Sequence, residues 1–312
     1  MKIERDKLVI KLKNAISNKV FLKTIIIGLK KVRHIFWINN DSIRRNQLDI
    51  YDYKKLKKKY YHIIEKRRVE ENMQYKQSNR VWICWLQGID NAPQLVKRCV
   101  YSIYKNLDER DITIITSENY YEYVNLPKYI INKWEHGIIS NAHFSDLLRL
   151  ELIINYGGIW MDSTVLCTDK KIPKYITNVP LFVYSNEYRG SDVIVASNWL
   201  ISGNKNNNIL VATRDLLYEY WKNEDVLINY FIFHLFFTMA TEKYTEEWKL
   251  VHKFNNISPH ILQHELFDKY SDERFEEIKS MSVFHKLNNK SVGPKYKSDT
   301  YYDYIINKGI EL

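Results

Sequence analysis

Two carboxylates and a guanidinium within one short stretch are the residues of this sequence best placed to do chemistry. In FSDLLRLELIINYGGIWMDSTV, residues 144–165, Asp146 and Arg149 stand three apart, and Asp162 follows thirteen residues after the arginine. On a helix the first two share one face. A carboxylate beside a fixed positive charge can accept hydrogen bonds from a ligand or meet a cation, while the guanidinium holds anionic or carbonyl oxygens. Each residue alone also has a plainer reading: an Asp-Arg pair on a helix is commonly a surface ion pair worth little, and an aspartate after a strand is commonly a turn residue.

The elements that must carry them are legible around them. Leu147, Leu148, Leu150, Leu152 and Ile153 give the helix an apolar stripe that seeks burial. Gly157 and Gly158 end it: the first can take the left-handed C-cap conformation, and the second lets backbone or ligand approach closely. Ile159 to Val165 is rich in aromatic and β-branched residues and predicts a short strand with Asp162 near its end. Helix, glycine pair and strand together hold a carboxylate at the rim of a sheet, where ligands of open α/β sheets bind.

The stretch SDLLRLELIINYGGIWMDSTV resembles the signature of the capsular polysaccharide synthesis proteins, which are similar to the family-32 glycosyltransferases with their DxD sugar-nucleotide motif. The resemblance is specific over these two dozen residues and looser from about Val81 to Lys290, with nothing included before about residue 78. It implies an α/β, type-A glycosyltransferase fold: a Rossmann-like mixed sheet flanked by helices that binds a nucleotide sugar, usually with a divalent metal, Mn²⁺ or Mg²⁺. It further implies that Asp146 and Arg149 hold the sugar and that Asp162 meets the diphosphate and metal. The sequence departs from the strict motif at Thr164, where a second aspartate would stand. A hydroxyl is a weak ligand for a hard cation, so metal dependence is open.

The same resemblance puts Trp85 and Gln87, after the first strand, at the nucleotide base, where a Trp can stack and a Gln can bond the base edge; Trp85 can equally be core. Asn198, in a Ser-Asn-Trp segment, either orients a sugar hydroxyl or satisfies a turn. His234, in a Tyr-Phe-x-x-His pattern with Tyr230, is either a catalyst or a satisfied core histidine. His285 and Lys286 form a His-Lys pair near the C-terminus that the resemblance expects to close over the diphosphate, the histidine ligating the metal with Asp162 and Thr164, the lysine neutralising phosphate.

Composition bounds the rest. With 312 residues and 45% hydrophobic content the chain can bury one large core with an appended segment. Cys84, Cys99 and Cys167 are odd in number and without CxxC spacing, which fits a reducing cytoplasm rather than disulfides or zinc. The formal charge of +10 is uneven: residues 1–80 carry 22 Lys and Arg against 8 Asp and Glu, a balance of +14, and the remainder is −4. This divides the chain into a basic, mostly helical N-terminal extension, 1–78, and a catalytic domain, 79–312. The apolar residues of the first thirty are broken by lysines and are too few in a row to span a bilayer. Residues 1–70 therefore predict either a basic helical segment lying on an anionic membrane surface, peripheral to a cytoplasmic protein, or helices docked on the domain with their lysines in water. No nucleic-acid module accompanies the lysines, so nucleic acid is not an expected partner.

Along the domain, VWICWLQ from Val81 predicts a buried first strand, Asn91 to Ile103 a helix with Pro93 in its first turn, and Asp111 to Thr116 a second strand: a βαβ unit opening a parallel sheet. Strands are also expected over 180–186 and 192–201, helices over 207–221 and within 225–239, two more helices between 258 and 279, and a short strand before His285. The expected function is sugar transfer from a nucleotide diphosphate sugar, most commonly a UDP-sugar, to a glycan or polyprenyl-linked oligosaccharide in surface polysaccharide synthesis, with retention. The alternative kept alive by Thr164 is a catalytically silent nucleotide-sugar or glycan-binding scaffold at the membrane. No P-loop, GxGxxG or Ser-His-Asp arrangement points to kinase, dehydrogenase or hydrolase chemistry.

Overall fold

The computed structural model describes residues 41–67, 78–186, 191–290 and 298–308. The apolar-basic stretch over the first thirty residues, for which membrane contact and docking were both open, lies outside the described residues.

Among the described residues eight strands form: β1 (Arg80–Cys84), β2 (Asp111–Ile115), β3 (Gly158–Asp162), β4 (Val165–Cys167), β5 (Leu181–Ser185), β6 (Ala196–Gly203), β7 (Phe254–Asn255) and β8 (Phe284–Lys286). Six make one sheet in the order β2-β1-β3-β6-β5-β7, and β4 pairs with β8 apart from it. β1 runs parallel to both β2 and β3, while β6 is antiparallel to β3 and β5. The longer helices are α1 (Asp41–Tyr60), α2 (Gln94–Asn106), α3 (Lys128–Glu135), α4 (Asn141–Tyr156), α5 (Asn208–Asn223), α6 (Ile232–Lys243) and α7 (Asp272–Met281). The result is a mixed α/β fold, a central sheet flanked by helices with a helix at its N-terminal side.

β1 reads as an unbroken apolar run because both its faces are covered. Trp82 faces the layer that holds Leu147, Leu148 and Phe236, and Val81 and Ile83 face the layer that holds Val96 and Ile103. A third cluster joins Leu95 and Cys99 of α2 to Leu166 of β4 and to Phe275 and Ile278 of α7. This cluster seats the small β4-β8 sheet beside the main one.

α1 belongs to the body of the fold. Tyr53, Leu56 and Tyr60 are buried in the same layer as α4, α5 and α6, and Asn229 donates to Asp49 and Asp52 at 2.8 and 2.9 Å. Lys57 and Lys59 pair with Glu242 and Glu224, and Lys54, Lys55 and Lys58 are exposed to water. Over these residues the structure has the docked helix with solvated lysines.

The strand expected over Ile159–Val165 is two strands. The chain leaves the main sheet after Asp162 and, past Ser163 and Thr164, enters β4 to pair with β8. The strand expected from 192 starts only at Ala196. Of the two helices expected between 258 and 279, one is a pair of short turns, Ser258–His260 and Ile261–His264, and the other is α7, from Asp272.

Candidate active site

α4 is fixed at both ends. Ser140 caps it by accepting from the His143 N–H, and Gly157 ends it at φ 67°, its N–H bonded to Ile153 O at 2.8 Å. Gly158, at φ 103°, starts β3 so tightly against β1 that a Cβ there would lie 2.5 Å from Arg80 O. The helix is thereby laid across the sheet, and β3 delivers Asp162 at its far end. Neither glycine lines the cleft described below; they stand at the opposite end of β3 from Asp162, about 13 Å away at the rise of a strand. Their positive φ values and, at Gly158, the close approach of Arg80 O account for glycine at both positions.

A cleft of about 370 Å³ opens at the carboxyl ends of the parallel strands β1 and β3. It is lined, among others, by Trp85, Gln87, Asp146, Arg149, Asp162, Thr164, Asn198 and His234, which come from five separate regions of the chain. Open α/β sheets bind ligands at this edge.

Arg149 is the hub. Its Nη1 donates to Asn198 O at 2.7 Å and lies 3.3 Å from Asp146 Oδ1, and its Nη2 lies 3.3 Å from Asp162 Oδ1. The guanidinium carbon stands 4.9 Å from the Trp160 ring centroid and 5.7 Å from that of Phe233. Such a buried cation, paired with two carboxylates and packed between aromatic rings, is a fixed part of the framework. Asp146 is held as fully: Oδ1 accepts from Asn198 Nδ2 at 3.0 Å, and Oδ2 is 3.3 Å from His143 Nδ1.

Asp162 gathers donors on both oxygens. Trp160 Nε1 donates to Oδ1 at 3.1 Å, and Lys286 Nζ lies 3.1 Å from Oδ2 while also donating to Thr164 Oγ1. Burial works to raise this carboxyl's pKa, but the charges of Lys286 and Arg149 and the hydrogen bonds from Trp160 and Lys286 prevail and hold it below the usual carboxylate value. Asp162 is therefore an anion at neutral pH. Cys84, also on the cleft wall, is pushed up to about 12 by burial and is no thiolate nucleophile there.

The His-Lys pair is divided by the strand it sits on. Lys286 stands across from Val165 in the β4-β8 ladder, and Leu287 N bonds Thr164 O at 2.9 Å, so the lysine turns to Thr164 and Asp162. Successive strand residues point to opposite faces. His285 accordingly turns away: it is wholly buried, with Nε2 3.2 Å from Thr168 Oγ1, and it does not line the cleft. Neither residue lines the cleft itself, but Lys286 bonds two residues that do, Asp162 and Thr164, whereas His285 reaches neither.

Among the described residues two carboxylates, Asp146 and Asp162, line the cleft. Hard divalent cations draw on several oxygen ligands, carboxylates foremost. Here the two carboxylates of the cleft are already engaged by Arg149, Lys286, Asn198 and His143, and among the described residues no three His, Cys, Asp or Glu converge.

Several site residues went unread in the sequence. His143 lies three before Asp146 on the same helix, and Trp160 lies two before Asp162 on the same strand face; both spacings were available as signals. Lys290 lines the cleft from a segment distant in sequence and had no local signal, while Tyr230, read only as part of the pattern around His234, also lines it, its ring meeting that of His143 edge-on at 5.5 Å.

Comparison with known proteins adds three findings. The family model described as "Capsular polysaccharide synthesis protein" matches residues 31–305, wider at both ends than the stretch of about 81–290 read from the sequence and including α1. An O-glycosyltransferase, braB, of Annulohypoxylon truncatum is 29% identical over 92 residues, 27% of this chain and 22% of that protein, so the chain matches about a fifth of that relative's length. The solved structure of the PaToxG glycosyltransferase is similar over 86% of this chain and 98% of its own, at 16% identity and a TM-score of 0.40.

Proposed function

From the premise that the chain belongs to the capsular polysaccharide synthesis protein family, we propose that it is a glycosyltransferase of type-A, Rossmann-like fold. It moves a sugar from a nucleotide diphosphate sugar, a UDP-sugar in the first instance, to a glycan or lipid-linked oligosaccharide. The observation that carries this reading is the convergence of Asp146, Arg149, Asp162 and Asn198 in one hydrogen-bonded set at the sheet edge, beside an open cleft with Trp85 at one wall.

In this reading the base lies against Trp85 and Gln87, and Asp146 and Asn198 accept and donate hydrogen bonds to the sugar. The bond between the anomeric carbon and the diphosphate oxygen breaks, its electron pair leaving with the diphosphate. The acceptor oxygen bonds to that carbon on the same face, and its proton passes to the departing diphosphate. Charge grows on the leaving group only as the bond breaks, so positive groups fixed beforehand favour the transition state over the bound substrate.

The test is a panel of UDP-, GDP- and CMP-sugars incubated with the protein, with free nucleotide recorded for wild type and for Asp162→Asn. Release from one donor, lost in the variant, supports the reading. A folded protein that neither binds nor turns over any member of the panel refutes it.

A further inference from the structure

We propose that the ammonium of Lys286, anchored by Asp162 and Thr164, neutralises the donor diphosphate in place of a divalent metal ion. This rests on the nucleotide-sugar reading and specifies how that site handles its charge.

The anchoring geometry is specific. Lys286 Nζ lies 3.1 Å from Asp162 Oδ2 and donates to Thr164 Oγ1. An ammonium has three donors, and among the described residues these two oxygens take two of them. The third N–H remains for a ligand oxygen. The side chain keeps 19% exposure, and the two residues it bonds both line the cleft, so the ammonium is held at the cleft's wall. Its position follows from the fold: the chain leaves the main sheet at Ser163-Thr164, and the β4-β8 register sets Lys286 beside that exit.

The surroundings favour an ammonium over a metal ion. A dication at Asp162 would have to displace Lys286 from Oδ2 and then stand within a few ångströms of both that ammonium and Arg149, like charges in a partly dry site. Among the described residues the one other carboxylate lining the cleft, Asp146, is already bound by Arg149, Asn198 and His143, and the position two after Asp162 is Thr164. A threonine hydroxyl serves poorly as a ligand for a hard cation but well as an acceptor from an ammonium. Asp162 thus becomes the group that holds the cation rather than a metal ligand. Lys290, on the same stretch four residues on, itself lines the cleft, while the Lys286 ammonium stands against its wall residues Asp162 and Thr164.

The experiment is calorimetric titration of the full-length protein with UDP, GDP and CDP, once in EDTA and once in Mn²⁺, for wild type, Lys286→Met and Lys286→Arg, each checked for folding by circular dichroism. The inference predicts that the diphosphate that binds does so with the same affinity, within about threefold, in both buffers. Lys286→Met should weaken it tenfold or more in both, and Lys286→Arg should recover most of the loss. Binding that requires Mn²⁺, or Mn²⁺ restoring the Lys286→Met variant to wild-type affinity, overturns the inference and leaves the glycosyltransferase reading standing. Absence of binding in either buffer overturns both. The comparison of wild type in the two buffers decides even if a variant fails to fold.

Discussion

Acid should unfold this protein in part through one histidine outside the cleft. Burial, with a smaller push from the charge of Lys279, takes His285 from its ordinary 6.5 down to about 4. The unfolded chain therefore takes up this proton first. The contribution of the neutral, buried ring is intact above pH 6.5, declines as pH falls, and is gone by about pH 4. The depression of roughly 2.5 units amounts to about 3 kcal/mol in full, of which about 2 kcal/mol is lost by pH 5. That is a substantial part of the 5–15 kcal/mol that ordinarily separates folded from unfolded chains. The assay is urea unfolding at pH 7, 6 and 5 for wild type and His285→Met, which keeps the volume but cannot titrate. All other titrating groups are common to the two proteins, so the difference in slope isolates the ring. Wild type should lose about 2 kcal/mol more than the variant between pH 7 and pH 5. Equal losses, or a His285 resonance titrating near 6.5 in the folded protein, would refute the reasoning.

Three further outcomes follow from the same geometry. Arg149→Met strips the buried partner from Asp146 and Asp162 and should cost on the order of 3–5 kcal/mol in urea unfolding, as loss of one partner from a buried ion pair does; a cost under 1 kcal/mol would mean that the hub is solvated. Gly158→Ala would set a Cβ 2.5 Å from Arg80 O at a φ of 103°, so it should lower the melting temperature sharply and reduce soluble yield, whereas Gly137→Ala, whose Cβ has no neighbour within 4 Å, should be much milder. Leu56→Ala should destabilise the whole protein by roughly 2–5 kcal/mol in a single transition. A separate low-stability phase instead would show α1 to be an appendage.

The sequence disclosed those parts of the site that are local. Asp146, Arg149 and Asp162 lie within one helix-turn-strand unit, where spacing alone predicts shared faces and a strand-end carboxylate. β1, the helix after it and β2 were legible for the same reason: a long apolar run and a helical period can be read without knowing their neighbours. The pairing of β4 with β8 was not legible, because three-residue strands carry no periodicity and their partner lies over a hundred residues away. The resemblance brought the His285-Lys286 pair towards Asp162 and Thr164, but with the β4-β8 pairing unseen nothing could tell that Lys286 would meet them while His285 turned into the core. The glycines were read for their freedom of conformation, which the positive φ values at both bear out, but that freedom serves the turn into β3. Of α1 only the basic part from residue 54 was read, as a polar helix that could extend a membrane patch; its inward tyrosines, buried with the core, were not read.

The most direct test of the central claim is a crystal structure of the protein soaked with the nucleoside diphosphate that binds in calorimetry. The account predicts density in the cleft at the ends of β1 and β3, with the base against Trp85 and the terminal phosphate within hydrogen-bond distance of Lys286 Nζ. A nucleotide bound elsewhere, or one in the cleft with its phosphates turned away from Lys286 and Asp162, would contradict it.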